Sequence, residues 1–507
     1  MSQISVNNLT FSYEGSFDNI FEDVSFSIDT NWKLGFIGRN GKGKTTFLHL
    51  LMKKYAYTGT IHSSAVFDFF PYQLTAGQMC LPAAEFIEEL KPGCNSWRVI
   101  CELEQLCENA ELLYRPFQTL SPGERTKILL AVLFSGENDF LLIDEPTNHL
   151  DLSARETVQK YLSAKKSFLL VSHDRDLLDA CVDHILVLNR KTIDVQCGNF
   201  SSWMENKQRK DAFAKTENEK HLKEIEKLKQ AAARSAQWAD KNEAMKIGYN
   251  PIKEDRFIGT RAYIGAKTKK MQRRVKQTVR RIDRNIKEKE GLLSDLEEPV
   301  DLKLMPLTHH KKTLVTVRDY AVAYTDANKT AFSHLTFSIA QKERIALHGK
   351  NGCGKSTLIQ MILQKAGAAE NRLPVKETGI CETASGIVIS YVSQDTSWLK
   401  GSVSGFCMER NLEKSLFCAV LRQLDMERVQ FSKNMEAFSE GQKKKALLAA
   451  SLLTPAHLYI WDEPLNFIDV FSRMQLEKLL LEFQPAMLFV EHDARFREKI
   501  ATQTVFL

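Results

Sequence analysis

An α/β fold in two tandem copies, joined by a long antiparallel helical hairpin, is predicted by three observations. The stretch 140–151, FLLIDEPTNHLD, returns as 458–469, LYIWDEPLNFID, with Asp462 in the place of Asp144. Each stretch is preceded by a glycine loop of the form G-x-x-x-x-G-K-[ST], at 38–45 and 349–356. Between the copies the pattern turns helical and strongly basic. The expected organisation is a first nucleotide-binding domain over 1–202, a hairpin linker over 203–305 with its tip at about 245–263, and a second domain over 306–507.

Composition bounds the remaining possibilities. A chain of 507 residues is too long for one core. Its 43% hydrophobic and 26% charged residues are ordinary for a soluble protein. No apolar run approaches the roughly 18 residues that span a bilayer, and the start, MSQISVNNLTFSYEG, lacks the pattern of a signal peptide. Ten cysteines occur without a CxxC pair or a His/Cys cluster at metal spacing, so reduced thiols in a cytoplasm are expected. Cys353, inside a glycine loop, reads as a small tolerated residue.

From the N-terminus, ISVNNLTFSY alternates, and VSFSI and KLGFIG are strand-like. The last runs into Gly38, Asn40, Gly41, Gly43, Lys44, Thr45 and Thr46. Glycines let backbone N–H groups close around phosphate oxygens at a helix N-terminus, with Lys44 reaching the β/γ-phosphates and the Thr45 hydroxyl ligating Mg²⁺. The second copy offers Gly349, Asn351, Gly352, Gly354, Lys355, Ser356 and Thr357. Upstream, Tyr13 and Tyr324 sit at similar offsets, suited to stacking on adenine or else to a strand-end core. Downstream, Gln73 and Gln394 end strands, where an amide can hold the metal or the attacking water. Asp144 and Asp462 are expected to hold Mg²⁺ through water, and Glu145 and Glu463 to polarise the attacking water.

Next come LSPGER at 120–125 and FSEGQK at 438–443, separated by the same interval as the acidic pairs. With these the chain resembles ATP-binding-cassette proteins, whose signature is LSGGQ, over two full cassettes. The resemblance implies ABC-type domains facing head to tail within one monomer. The Lys44 loop then shares its ATP with Ser439 and Gly441, and the Lys355 loop with Ser121 and Gly123. Pro122, Phe438 and Glu440 depart from the signature but leave the serine and glycine in place. His173 and His492 resemble the family's switch histidine. Two ATP sites with Mg²⁺ are implied, both hydrolysis-competent but unequal. Leu465, Phe467 and Ile468 stand in the second where the first has Thr147, His149 and Leu150.

The linker, 204–300, carries 25 Lys+Arg against 16 Asp+Glu, leaving a net of −3 on the rest of a +6 chain. Helix is expected from Trp203 to about Ile247, with Leu222, Ile225, Leu228 and Ala232 on one side. A second helix is expected over about 266–296, with Met271, Val275, Ile282, Ile286 and Leu293 inward. Lys267, Lys269, Lys270, Arg273, Arg274, Lys276, Arg280, Arg281 and Arg284 then point outward, fitting a polyanionic backbone or simply solvent. The tip mixes Tyr249, Arg256, Phe257, Arg261 and Tyr263, able to stack on bases, crowd a small-molecule pocket or plug the hairpin's end.

Soluble tandem cassettes with a basic hairpin, and DEPTNHLD in the first, resemble the ABC-F family of ribosome-binding ATPases. The stretch from Gln73 to Ser121 is scarcely longer than that from Gln394 to Ser439, so the first cassette lacks the inserted arm of the family's housekeeping translation factors. Little chain follows His492, so no C-terminal extension is expected. These features, with WDEPLNFID and FVEHD, resemble the Lsa/Vga-like antibiotic-resistance branch. The resemblance implies binding at the ribosomal E site, with large-subunit rRNA and P-site tRNA as partners. It also implies displacement of lincosamides, pleuromutilins and streptogramin A from the peptidyl-transferase centre by the tip. A drug-independent ABC-F translation factor and the ATPase of an efflux transporter are the competing readings.

Overall fold

The computed structural model describes residues 3–13, 19–136, 140–148, 150–189, 192–247, 302–324, 330–350, 352–368, 374–507 and parts of 269–284. Side chains at 232, 235, 236 and 238–247 are outside the description. Two compact units form, Met1–Trp203 with Pro299–Leu507, and Met204–Glu298.

Among the described residues, the first cassette's main sheet runs in the order Phe67–Phe70, Phe140–Asp144, Phe168–Val171, Lys33–Gly38, His184–Leu188, Ile193–Cys197. All neighbours pair in parallel except the last two. Parallel strands are covered on both faces, so they read as unbroken apolar runs; FLLI and FLLV are buried throughout. The second cassette repeats the plan with Ile389–Val392, Leu458–Asp462, Met487–Val490, Arg344–His348 and Gln503–Phe506, all parallel. A three-stranded antiparallel sheet flanks each, built on Gln3–Phe11 in one and Thr313–Tyr324 in the other. Leu302 and Leu304, placed by the sequence within the linker stretch, are buried in the second cassette's core.

This topology puts the phosphate loop and the acidic pair of each cassette at the carboxyl ends of strands in the same sheet, with one strand, Phe168–Val171 or Met487–Val490, between them, where ligands of open α/β sheets bind. The loops feed the helices Lys44–Leu51 and Lys355–Lys365. The signature sequences open Pro122–Phe134 and Glu440–Leu453, capped by Ser121 and Ser439. In each, the serine Oγ accepts from the N–H three residues on, and that residue's side chain accepts from the serine N–H. Proline suits the first helical position, which explains how Pro122 is accommodated.

In the linker unit, Phe200–Ile247 is one helix of 48 residues, about 72 Å at the α-helical rise. The described parts of 269–284 are helical too. Ile225, Leu228 and Ile282 pack together, as two strands of a hairpin require. Lys269, Lys270, Arg273, Lys276, Arg280, Arg281 and Arg284 are all exposed. Leu222, expected on the packed side, is 53% exposed. Tyr249, Arg256, Phe257, Arg261, Tyr263, Lys267, Met271, Arg274, Ile286 and Leu293 lie outside the described residues, as does the Ala232 side chain.

Candidate functional site

Each phosphate loop turns on glycines in the left-handed region, Gly41 and Gly43 at φ 78° and 103°, Gly352 and Gly354 at 80° and 97°. Gly43 is further constrained, because a Cβ there would lie 2.4 Å from Ile20 Cγ2. Lys44 is buried and folds over its own loop, donating to Gly38 O at 2.7 Å and Asn40 Oδ1 at 3.2 Å. Lys355 does the same with Gly349 O at 2.7 Å. A hydroxyl and a carboxylate then meet in each site: Thr45 Oγ1 donates to Asp144 Oδ2 at 2.7 Å, and Ser356 Oγ to Asp462 Oδ2 at 3.0 Å. Such all-oxygen pairs fit Mg²⁺, which keeps several waters and takes one or two protein oxygens. Among the described residues no group of three or more His, Cys, Asp or Glu could hold a metal ion.

The acidic pairs have diverged. Glu145 and Glu463 both sit at positive φ, 49° and 47°, a conformation that costs about 1–3 kcal/mol for a non-glycine residue and gathers at functional sites. Glu463 Oε2 accepts from Gln394 Nε2 at 2.8 Å and Asn466 Nδ2 at 2.7 Å. His492 Nε2 stands 3.4 Å from its Oε1. Burial pushes this carboxyl upward, but His492, Lys444 and Lys355 outweigh it and hold it below the usual range. Glu145 Oε1 is buried without a hydrogen-bond partner. His173 Nε2 is 3.4 Å from that oxygen and turns instead to Asn40 Oδ1 at 2.8 Å. Burial, with Asp144 beside it, pushes Glu145 up to about 8. Burial also raises Asp144 and, helped by Glu463, takes Asp462 to about 6. Gln73 is exposed and reaches neither carboxylate, unlike Gln394.

The two cassettes close on one another with each phosphate loop opposite the other's signature helix. A cavity of about 330 Å³ is lined by Asn40 and Gly41 on one side and Ser439, Gly441 and Phe467 on the other. The second, about 420 Å³, is lined by Lys355, Ser356, Gln394 and Glu463 facing Pro122, Leu150 and Arg155. Ser121 and Gly123 cap and open that facing helix without lining the cavity. Tyr324 lines the larger cavity and its OH shares a hydrogen bond with Thr357 Oγ1 at 2.6 Å. Tyr13 makes the matching bond to Thr46 Oγ1 at 2.8 Å and leaves 42% of itself exposed, edge-on to Phe11 and Tyr55. Asn351 lies outside the described residues.

Several residues at this interface escape a sequence reading. Asn40 Nδ2 donates across it to Phe467 O at 2.6 Å, and Arg473 Nη1 to His173 O at 3.1 Å. Arg175 pairs with the fully buried Glu477 at 2.5 Å, and Arg495 with Asp179 at 2.6 Å and with Asp176. Arg39 pairs with Asp425, and Lys42 with Glu427. Nothing local marks these residues, whose partners lie in the other half of the chain.

A model of the family described as ABC transporter matches residues 21–148 and 332–466. The chain is 28% identical over 499 residues to the ribosome protection protein VmlR of Bacillus subtilis (strain 168), covering 96% of this chain and 84% of that one. It is 26% identical over 526 residues to the ATP-binding protein Uup of Buchnera aphidicola, covering 100% and 80%. Among solved structures it is similar to the archaeal ribosome recycling factor aABCE1 in complex with the stalk protein aP1. There the TM-score is 0.58 at 18% identity, over 98% of this chain and 87% of the other. No described helix is long and apolar enough to cross a membrane.

Proposed function

Because the chain belongs to the ABC transporter family of ATP-binding domains, we propose that it is an ABC-F ATPase that acts on the bacterial ribosome and protects it from antibiotics of the peptidyl-transferase centre. The observation that carries this reading is the similarity to a ribosome protection protein along 96% of the chain. The exposed basic face at 269–284 supports an rRNA partner, since such density neutralises phosphate charge.

In this reading ATP is held twice, each time by one cassette's loop and the other's signature helix. Tyr13 and Tyr324 present ring faces to the base. Lys44 and Lys355 exchange their loop carbonyls for phosphate oxygens. Thr45 with Asp144, and Ser356 with Asp462 and Gln394, would hold Mg²⁺, which would supply charge neutralisation on the phosphates. Glu463, kept ionised by His492, Lys444 and Lys355 and oriented by Gln394 and Asn466, orients water and takes its proton, while His492 steadies the γ-phosphate. Glu145 and His173 stand in the corresponding places of the first site, where the raised Glu145 carboxyl must first lose its own proton before it can take one from water. Closure favours residence in the ribosomal E site, with the 245–263 tip directed to P-site tRNA and rRNA. Lincosamide, pleuromutilin or streptogramin A drugs leave when that region is reshaped, and hydrolysis permits release.

The test is membrane-free bacterial translation with lincomycin or tiamulin, with and without purified protein and ATP. Restored synthesis is expected, and the absence of a membrane rules out efflux as its cause. Normal ATPase activity and ribosome binding without restoration would replace this reading with a drug-independent translation factor. Loss of ribosome binding as well would return the chain to the transporter reading.

A further inference from the structure

The two sites share their loop glycines, lysine and carboxylate pair, but the surfaces that meet across them differ. At the first site three side chains of one phosphate loop reach the other cassette. Arg39 pairs with Asp425, Lys42 Nζ stands 3.0 Å from Glu427 Oε1, and Asn40 Nδ2 donates to Phe467 O. Asp425 and Glu427 lie between the helix Lys414–Gln423 and the 3₁₀ turn Arg428–Ser432. Burial pushes the Asp425 carboxyl up and the Arg39 guanidinium beside it counters that, so the charged pair is held together inside the closed edge.

The first cassette carries the same segment, offset by the interval that separates the two acidic pairs, as Ser96–Gln105 and Ala110–Tyr114. Cys107 therefore stands where Asp425 does, and both adopt positive φ, 57° and 61°. Asn109 stands for Glu427, and its side chain already accepts from Glu111 N–H. Opposite, Lys350 and Cys353 replace Arg39 and Lys42. Among the described residues, no ion pair joins the second site's phosphate loop to this segment. The second cavity is the larger, and it holds the carboxylate that Gln394 and Asn466 orient.

We propose that Arg39–Asp425 and Lys42–Glu427 form a one-sided latch, so that the first site retains its nucleotide while the second opens, exchanges and turns ATP over. This rests on the ATP-binding reading above. The latched edge then acts as the pivot, and separation of the cassettes is read at the unlatched edge.

The test uses the full chain loaded with a radiolabelled non-hydrolysable ATP analogue and chased with excess unlabelled ATP. Two release phases of equal amplitude are expected, separated by about tenfold, the order that two part-exposed ion pairs supply. Lys44→Ala should remove the slow phase and Lys355→Ala the fast one. Asp425→Asn with Glu427→Gln should bring the slow phase to the fast rate. Building the latch on the other side, with Cys107→Asp, Asn109→Glu and Cys353→Lys, should slow the fast phase about tenfold. The built latch keeps the test decisive if the neutralised variant folds poorly. A single release rate, the reverse assignment of phases, or insensitivity of both phases to both sets of changes overturns the proposal. Failure of the wild-type chain to bind the analogue at all would instead overturn the ATP-binding reading beneath it.

Discussion

Arg175→Gln tests whether the closed pairing of the cassettes is what completes the ATP sites. Arg175 Nη2 lies 2.5 Å from Glu477 Oε1 and 3.6 Å from Asp493 Oδ2, and the Glu477 side chain has no exposed surface. Breaking a buried pair by removing one partner costs about 3–5 kcal/mol, because the remaining charge is stranded. Two features reduce that here. Lys499 Nζ still donates to Glu477 Oε2 at 2.9 Å, and glutamine retains a donor. A net loss of about 2 kcal/mol remains, or a roughly thirtyfold drop in the closing equilibrium. The pair bridges the cassettes, so this loss falls on the closed state alone. Apparent ATP affinity scales with the closed fraction, so the half-saturating ATP concentration should rise by up to that factor, with turnover at saturation changed less than about twofold. Steady-state ATPase assays on Arg175→Gln, Glu477→Gln and the double variant measure it. The double variant should recover part of the loss, since neither charge is then stranded. An unchanged half-saturation with depressed turnover, or two single effects that add fully, would refute the reasoning.

Four further outcomes follow from the same geometry. Glu463→Gln should cut single-turnover hydrolysis by about 10²-fold or more, and Glu145→Gln by much less; equal losses would contradict the divergence of the two carboxylates. Glu145 is held at about 8 in the fold against 4.5 when unconstrained, so the folded chain binds more protons between those values and stability falls as pH rises through that window. Without nucleotide, wild-type melting temperature should therefore decline from pH 6 to 9 more steeply than that of Glu145→Gln, and parallel curves would remove this account. Asn466→Ala, which takes one charge-assisted donor from Glu463, should slow turnover roughly tenfold, while Gln73→Ala stays within about twofold. Phe257→Ala should impair protection in the translation assay more than ATPase activity, whereas equal loss of both points to misfolding.

What the sequence made legible was whatever is local. The loops at 38–45 and 349–356, the acidic pairs and the capping serines each draw their local structure from residues within a few positions: the loops open helices, the acidic pairs end strands and the serines cap helices. The long helix, expected from Trp203, starts at Phe200. Pairing across the cassettes was not legible, because nothing beside Arg175 announces Glu477, 302 residues on. Gln73 and Gln394 look equivalent in sequence, yet Gln394 stands two residues past Ile389–Val392 and Gln73 three past Phe67–Phe70. Both glutamines follow the strand in irregular chain, and with one extra position Gln73 ends exposed while Gln394 meets Glu463. Comparing the copies position by position would have exposed Cys107 against Asp425, a difference no motif covers.

The substitution of Phe467 where the first cassette has His149 takes on meaning from the backbone. Phe467 adopts φ 63°, and its carbonyl, not its ring, accepts the hydrogen bond from Asn40 Nδ2. The same carbonyl lies over the signature helix so closely that a Cβ at Gly441 would come within 2.8 Å of it. The other end of the Asn40 amide accepts from Lys44 Nζ and meets His173 Nε2. Burial keeps the His173 imidazole well below its usual range, hence neutral, so its single N–H must be on Nε2 to donate to Asn40 Oδ1. One side chain thus joins Lys44 and His173 to the backbone of the opposite cassette. If Lys44 leaves Asn40 for phosphate, as the proposed reading has it, the amide keeps two of its three partners and loses only the charge-bearing one. The bond from Asn40 Nδ2 to Phe467 O does not involve Lys44, so it need not break for the lysine to move.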